Sequence, residues 1–81
     1  MESFRVKLFA SFADLFGASH LEVSLPRGAT VSDLAVAIHN LPRAESLPRR
    51  LVVAVNSSYA RPETVLAAGD EVALIPPVAG G

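Results

Sequence analysis

The sequence contains one stretch with the spacing of a long amphipathic helix, and no second one. Apolar residues follow Thr30 at helical intervals until Pro42, which cannot continue a helix. Thr30 is a favourable N-cap, and Asp33 places a carboxylate near the positive end of the helix dipole. The apolar positions are Val31, Leu34, Ala35, Ile38 and Leu41. Since the remaining apolar residues form strand patterns, we expect this helix to bury its face against a sheet.

Four segments have the apolar patterns of strands. Residues 4–8 and 21–25 alternate apolar with polar side chains, which predicts two strands with one buried face each. Residues 51–55 are a nearly continuous β-branched run, which predicts an interior strand covered wholly or partly on both faces. Residues 71–75 form the last predicted strand, and residues 59–66 can form only short strands or loop.

Two turns require a left-handed residue. Phe12, Leu15 and Phe16 make one apolar helical turn between the first two strands, and Gly17 suits the residue that ends it. Gly69, between Ala68 and Asp70, has the same role in the turn before the last strand.

The predicted order of elements is β-β-α-β-(short β)-β. A hairpin, one helix and returning strands indicate an α+β domain, in which one main helix packs across a mixed sheet of four to five strands. The helix is a crossover, so the first and last strands can lie parallel in the sheet. The β-grasp architecture of ubiquitin fits this order and is one candidate among several. We predict a domain over residues 1–75 and a flexible, extended C-terminal tail over residues 76–81.

Composition excludes several functional classes. A chain of 81 residues is one domain, and a net charge of −1 without a basic stripe argues against nucleic-acid binding. The absence of cysteine excludes disulfides and a thiolate nucleophile. No segment has the pattern of a membrane span or a signal peptide, so we expect no membrane partner and a cytoplasmic location.

The remaining polar residues make no catalytic constellation. His20 falls on the polar side of a strand and His39 near the end of the helix, and neither has partners at metal-ligand spacing. Asp70 and Glu71 would point to opposite faces of a strand, so we expect turn and surface roles. The basic doublet Arg49–Arg50 fits a solvated loop, with docking to an acidic partner surface as the alternative. Together these patterns indicate no bound cofactor or metal.

The tail has features that a frayed terminus does not need. Pro76 and Pro77 favour an extended conformation, and six residues span about 20 Å at roughly 3.3 Å each. Gly80 and Gly81 have no Cβ and can thread a narrow channel. We therefore predict that the tail enters a pocket of another protein and that the α-carboxylate of Gly81 is the reactive group. Adenylation by ATP would activate this carboxylate, and a sulfur or nitrogen nucleophile could then displace AMP.

The sequence also resembles a known family along its whole length. Three segments carry most of the resemblance: residues 51–56 (LVVAVN), 68–73 (AGDEVA) and 76–81 (PPVAGG). Residues 6–10 (VKLFA) and 15–17 (LFG) add to it. These segments are similar to the small subunit of molybdopterin synthase, a ubiquitin-like β-grasp sulfur carrier.

The resemblance implies a sulfur carrier that is non-catalytic on its own. An E1-like enzyme would use ATP to adenylate Gly81, and a sulfurtransferase would convert it to a thiocarboxylate. The tail, Pro76, Pro77, Val78, Ala79 and Gly80, would then deliver the sulfur into the large synthase subunit. There it would be donated to cyclic pyranopterin monophosphate, in the biosynthesis of the molybdenum cofactor.

Two questions stay open in the sequence. Phe9 and Ile75 fall on the face opposite the hairpin core, where they either cover the sheet within the fold or bind the partner. The carrier could instead supply thiamin synthesis or tRNA thiolation, or act as a ubiquitin-like modifier joined to lysines through Gly81. An interaction module with an inert tail is the remaining alternative.

Overall fold

One main helix lies across one face of a five-stranded mixed sheet. The structure is a computed structural model and describes residues 1–76. Its strands are β1 (Glu2–Leu8), β2 (His20–Leu25), β3 (Val52–Val55), β4 (Ser58–Tyr59) and β5 (Val72–Ile75). Its helices are α1 (Ala10–Phe16) and α2 (Val31–His39), with a 3-10 turn at Ala44–Ser46. The predicted α+β architecture is confirmed.

The strand order is β2-β1-β5-β3-β4. β1 pairs antiparallel with β2 and parallel with β5, as the hairpin and the crossover predict. β3 is antiparallel to β5 on one side and to β4 on the other. The last strand is therefore the central strand of the sheet.

The core lies between the sheet and α2. Phe4, Val6 and Leu8 of β1 are at most 4% exposed, and Leu34 and Ile38 of α2 are fully buried. The alternation in β1 therefore identifies its buried face correctly. In β3, Val53 is buried whereas Val52 is 43% exposed, so this strand is covered on one face only.

A capping box fixes the start of α2. The Thr30 backbone N–H donates to Asp33 Oδ2 at 2.9 Å, and the Asp33 N–H donates to Thr30 Oγ1 at 3.2 Å. The helix ends at His39, earlier than the apolar pattern through Leu41 predicts. Asn40 is the C-cap, and its Nδ2 donates to the carbonyl of Val36 at 3.0 Å. Because Pro42 disfavours the helical conformation at residue 41, the chain leaves the helix here.

Both predicted left-handed glycines are confirmed. Gly17 has φ 66° at the end of α1, and Gly69 has φ 88° before β5. The last strand begins at Val72, one residue later than predicted. The reason is that the Glu71 N–H donates to the side chain of Asn56, at 3.0 Å, instead of to a strand.

Candidate functional site

The sheet face opposite α2 carries one row of side chains across all five strands. The pairs Lys7–His20, Lys7–Ala73, Ala54–Ala73 and Ala54–Tyr59 stand directly opposite each other. Residues opposite one another in neighbouring strands project to the same face. The centre of this row is therefore two alanines, with larger side chains on either side.

A groove of about 300 Å³ lies over these two alanines. Its walls include Phe9, which is 41% exposed, and Tyr59, which is 78% exposed. The lining residues are Lys7, Phe9, Ala54, Ser57, Tyr59, Glu71, Ala73 and Ile75. We call this surface the outer groove. Two exposed aromatic rings beside a small-residue floor make it a concave apolar surface that can accept a side chain of another protein.

Phe9 and Ile75 come together in the outer groove. Neither belongs to the buried core or to the half-buried side chains packed against it. Ile75 stands opposite Val52, and both project to the outer face. Phe9 is exposed on this face and Ile75 is half-buried, so a role of this pair in binding a partner stays a prediction.

The tail begins at this groove. Pro76 follows Ile75 directly and is half-buried. The other predicted tail residues, Pro77, Val78, Ala79, Gly80 and Gly81, lie outside the described residues. Because β5 is the central strand, the tail originates in the middle of the sheet rather than at its edge.

Charged groups flank the outer groove. Lys7 Nζ lies 5.8 Å from the centroid of the Phe9 ring, within the range of a cation–π interaction. Glu71 lines the groove at the start of β5. The surface is thus apolar at its centre with one charge of each sign on its border.

A neighbouring cavity of about 490 Å³ contains His20, but its geometry does not activate a nucleophile. Arg5 Nη2 lies 3.1 Å from His20 Nε2, and Ser19 Oγ lies 3.2 Å from His20 Nδ1. A guanidinium can only donate, so Nε2 accepts and the proton of the neutral ring is on Nδ1. In this tautomer the Nδ1–H of His20 donates to Ser19 Oγ, so the ring cannot accept the proton of the Ser19 hydroxyl. A surface role for His20 therefore fits.

Asp70 closes the turn before β5. Its Oδ2 accepts from the Ala67 N–H at 2.8 Å and its Oδ1 accepts from Asn56 Nδ2 at 3.0 Å. Both bonds stabilise the carboxylate, so the backbone of Ala67 first and the amide of Asn56 second lower the pKa of Asp70. This carboxyl group is a turn residue, as the sequence predicts.

Within residues 1–76, no cluster of three or more His, Asp or Glu side chains could hold a metal ion. No helix in this same part of the chain is long and apolar enough to cross a membrane.

The pattern of residues 6–81 matches the model of the ThiS family. The chain belongs to the ThiS family. Its curated relatives include the molybdopterin synthase sulfur carrier subunit of Chlamydomonas reinhardtii, 37% identical over 95% of this chain and 96% of the relative. The subunit of the same name from Arabidopsis thaliana is 32% identical over 95% of this chain and 81% of the relative.

Solved structures place the ThiS-family chain in the ubiquitin-like β-grasp fold. Small archaeal modifier protein 1 of Haloferax volcanii superimposes with a TM-score of 0.83 at 33% identity, covering 96% of this chain and 100% of that one. A more distant structure is the complex of subunits 1 and 2 of the molybdopterin-converting factor of Helicobacter pylori. It matches with a TM-score of 0.70 at 19% identity, covering 98% of this chain and 99% of that one, and supports the fold alone. The predicted β-grasp is confirmed.

Sequence patterns in this ThiS-family chain do not reveal Tyr59. It lies in a segment that sequence predicts only as short strand or loop, and it enters the outer groove because β4 pairs with β3. The one available signal is that it is the only tyrosine of the chain and follows a polar turn.

Proposed function

We propose that this protein carries sulfur to molybdopterin synthase on its C-terminal glycine. The observation that supports this most strongly is the family match, which runs to the final Gly80–Gly81, together with relatives named molybdopterin synthase sulfur carrier subunit. The protein acts as a carrier subunit, and the catalytic side chains belong to its partners.

The chemistry begins at the α-carboxylate of Gly81. A carboxylate oxygen attacks the α-phosphorus of ATP on an E1-like enzyme, and pyrophosphate leaves. A sulfur nucleophile supplied by a sulfurtransferase then attacks the acyl adenylate, and AMP leaves. If the donor is a persulfide, this attack gives an acyl disulfide. A second thiol then attacks the donor's sulfur, so that a disulfide forms on the donor and the terminus leaves as a thiocarboxylate. Once this sulfur has passed to cyclic pyranopterin monophosphate and water has supplied an oxygen, the carboxylate is restored.

The outer groove is the docking surface for the large synthase subunit in this proposal. Phe9, Tyr59 and Ile75 supply apolar contact area, and aromatic anchors beside a concave surface are the residues that contribute most to binding. Because Pro76 follows Ile75, a partner seated on the groove is placed to receive Pro77, Val78 and Ala79 into its own pocket.

The test is mass spectrometry of the C-terminal peptide. The full chain is incubated with ATP, the E1-like enzyme and the sulfurtransferase of its own host, and the peptide ending at Gly81 is isolated. Replacement of one oxygen by sulfur is the expected result. Only the peptide is informative, because oxidation of Met1 changes the intact mass almost equally. A peptide that stays a carboxylate under these conditions would refute the proposal.

A second candidate function is protein modification. The similarity to a protein named small archaeal modifier protein 1 favours it, and both functions would use the same adenylate. The chain has a single lysine, Lys7, as an acceptor for chains of itself. If Gly81 is recovered from the host chiefly in isopeptide bonds to other proteins, without thiocarboxylate, the modifier function is the correct one.

A further inference from the structure

A second groove, of about 550 Å³, lies between the first half of α2 and the β3–β4 pair. We call it the basic groove, because the exposed side chains of Arg49, Arg50 and Arg61 line it. Half-buried apolar side chains, Leu51 and Ala60 among them, line it as well. Among residues 1–76, the lining of the outer groove includes no arginine, so the two surfaces differ in chemistry.

Positive charge is concentrated in the basic groove. The chain has seven Lys and Arg residues, and three of them line this groove. Within the described part of the chain, its lining contains no Asp or Glu. The whole chain has a net charge of −1, so the positive charge is local to this groove and is not a general property of the protein surface.

We propose that the basic groove binds an acidic segment of a partner protein. Carboxylates of the segment pair with the guanidinium groups of Arg49, Arg50 and Arg61, and its apolar side chains contact Leu51 and Ala60. Guanidinium groups match carboxylates in geometry, and pairing at a partly apolar surface is stronger than in open solvent.

Hydrogen bonds hold both sides of the groove in place. On one side, His39 Nε2 lies 3.0 Å from the carbonyl oxygen of Pro48, immediately before Arg49. On the other side, the Ser32 N–H donates to the Pro62 carbonyl at 2.8 Å, immediately after Arg61. A groove whose backbone is already ordered loses less entropy on binding than a mobile loop would.

The arginines, and not the helix terminus, supply the attraction. The N–H groups of Val31 and Ser32 at the start of α2 already donate to the carbonyls of Thr64 and Pro62, at 2.9 and 2.8 Å. The Asp33 N–H donates to Thr30 Oγ1. The donors that helix N-termini usually offer to anions are therefore occupied.

The surroundings favour a peptide over a nucleic acid. Exposed carboxylates follow the groove residues directly in sequence, Asp33 after Ser32 and Glu63 after Pro62. A nucleic-acid strand has a charge on every phosphate and needs an extended basic surface. Three arginines bordered by carboxylates suit a short segment with a few acidic residues.

The basic groove lies beside the origin of the tail. Val52 lines it, and Val52 is paired with Ile75, the last residue of β5. A protein that handles the tail can therefore reach this groove while it holds the domain. The inference does not depend on the chemistry proposed at Gly81.

The direct test is an NMR titration of the full chain with a defined probe. The probe is a synthetic hexapeptide of four glutamates and two leucines, blocked at both ends, and its control has glutamine in place of every glutamate. We expect amide shifts confined to residues near Arg50, Leu51 and Arg61, and loss of binding with the glutamine peptide. No binding, or shifts centred on Phe9 and Tyr59, would overturn the proposal.

Charge-matched variants test the assignment to these arginines. The triple variant Arg49→Gln/Arg50→Gln/Arg61→Gln should bind the probe about tenfold more weakly than the natural protein. The control triple, Arg5→Gln/Arg27→Gln/Arg43→Gln, removes the same number of charges elsewhere and should change affinity by less than about twofold. An equal loss of affinity in both triple variants would mean that the peptide is held by general electrostatic attraction. It would refute the basic groove as the binding site.

Two further experiments cover the remaining outcomes, a groove variant that does not fold and a groove that binds nucleic acid. If thermal melting shows that the groove triple does not fold, the single variants Arg49→Gln and Arg61→Gln replace it, each with about a two- to fivefold expected loss. A single-stranded oligothymidylate is titrated in parallel. If it binds more tightly than the acidic peptide and loses affinity in the groove variants, the surface binds nucleic acid and the proposal is wrong.

Discussion

Asn56 and Asp70 join the β3–β4 turn to the turn before β5. Asn56 Nδ2 donates to Asp70 Oδ1 at 3.0 Å, while Asn56 Oδ1 accepts from the Glu71 N–H at 3.0 Å. The Asn56 backbone N–H adds a third bond, to the Glu71 carbonyl at 2.7 Å. One asparagine therefore fixes where the central strand of the sheet begins, beside the outer groove.

Two substitutions of Asn56 should separate the free-energy cost of losing its side-chain hydrogen bonds from the cost of its left-handed backbone conformation. Asn56→Gly keeps the backbone at φ 52° without strain, but it removes the side-chain bonds and adds flexibility to the unfolded chain, and we expect the combined cost to be about 1 kcal/mol. Asn56→Ala loses the same bonds and also holds an alanine in the left-handed region, for a further cost of about 1 kcal/mol. Urea unfolding of both variants measures the difference. If Asn56→Ala were as stable as Asn56→Gly or more stable, the predicted extra cost of the alanine variant would be contradicted.

The low pKa of Asp70 gives stability a defined dependence on pH. The folded-state pKa lies below the unfolded value of about 3.9, so the carboxylate stabilises the fold fully above that value. The contribution is lost as the pH falls through the lower, folded-state pKa. Asp70→Asn should therefore have a shallower decrease in urea midpoint between neutral and strongly acidic pH. Glu63→Gln is the charge-matched control, and a slope unchanged by Asp70→Asn would contradict the prediction.

Gly69→Val should destabilise the protein by about 1–2 kcal/mol. A Cβ at this position would meet no atom of residues 1–76 within 4 Å, so the cost arises from φ 88° and not from a steric clash within this part of the chain. Thermal and urea unfolding measure it, with Val65→Ala as an exposed control. A midpoint equal to that of the natural protein would show that the backbone relaxes away from the left-handed turn.

Tyr59→Ala should weaken binding to the large synthase subunit about tenfold or more and leave stability almost unchanged. Its side chain is 78% exposed, so truncation removes little folded-state packing, yet it removes one wall of the outer groove. Calorimetry with the purified large subunit measures the affinity. The matched control is Val36→Ala, an exposed apolar residue of α2 that lines no part of the groove. Similar losses in both variants would exclude the outer groove as the docking surface.

Sulfur transfer should depend on the exact position of the terminal carboxylate. Deleting Gly81, or adding one residue after it, should abolish sulfur transfer, because the reactive carbon must end a chain without side chains. We expect both variants to melt like the natural protein, since residues 1–75 carry the core. Val36→Ala, an exposed change outside the outer groove, is the control and should transfer sulfur normally. Normal transfer by either tail variant would contradict the role of Gly81.

Local patterns predict much of this fold. The alternation at Phe4, Val6 and Leu8, the Thr30–Asp33 cap and the turn at Gly69 each depend on residues close in sequence. Because these interactions form between residues close in sequence, a short segment of sequence is enough to predict them.

The site depends on contacts between residues that are distant in sequence, and local patterns do not predict such contacts. Tyr59 reaches the outer groove only through the register of β4 on β3. Arg61 joins the doublet Arg49–Arg50 only because its loop bonds to the start of α2. Such juxtapositions follow from the assembled sheet, and no short window of sequence contains them.

The central position of β5 has a consequence for synthesis of the protein. β1 and β3 are not neighbours, because β5 lies between them and pairs with both. A nascent chain interrupted before Val72 leaves both strands with unpaired backbone groups facing each other, so the sheet cannot close. Truncated products should therefore be unfolded and open to proteases. The cell would then retain mainly those copies in which translation had passed through the strand that leads into the tail.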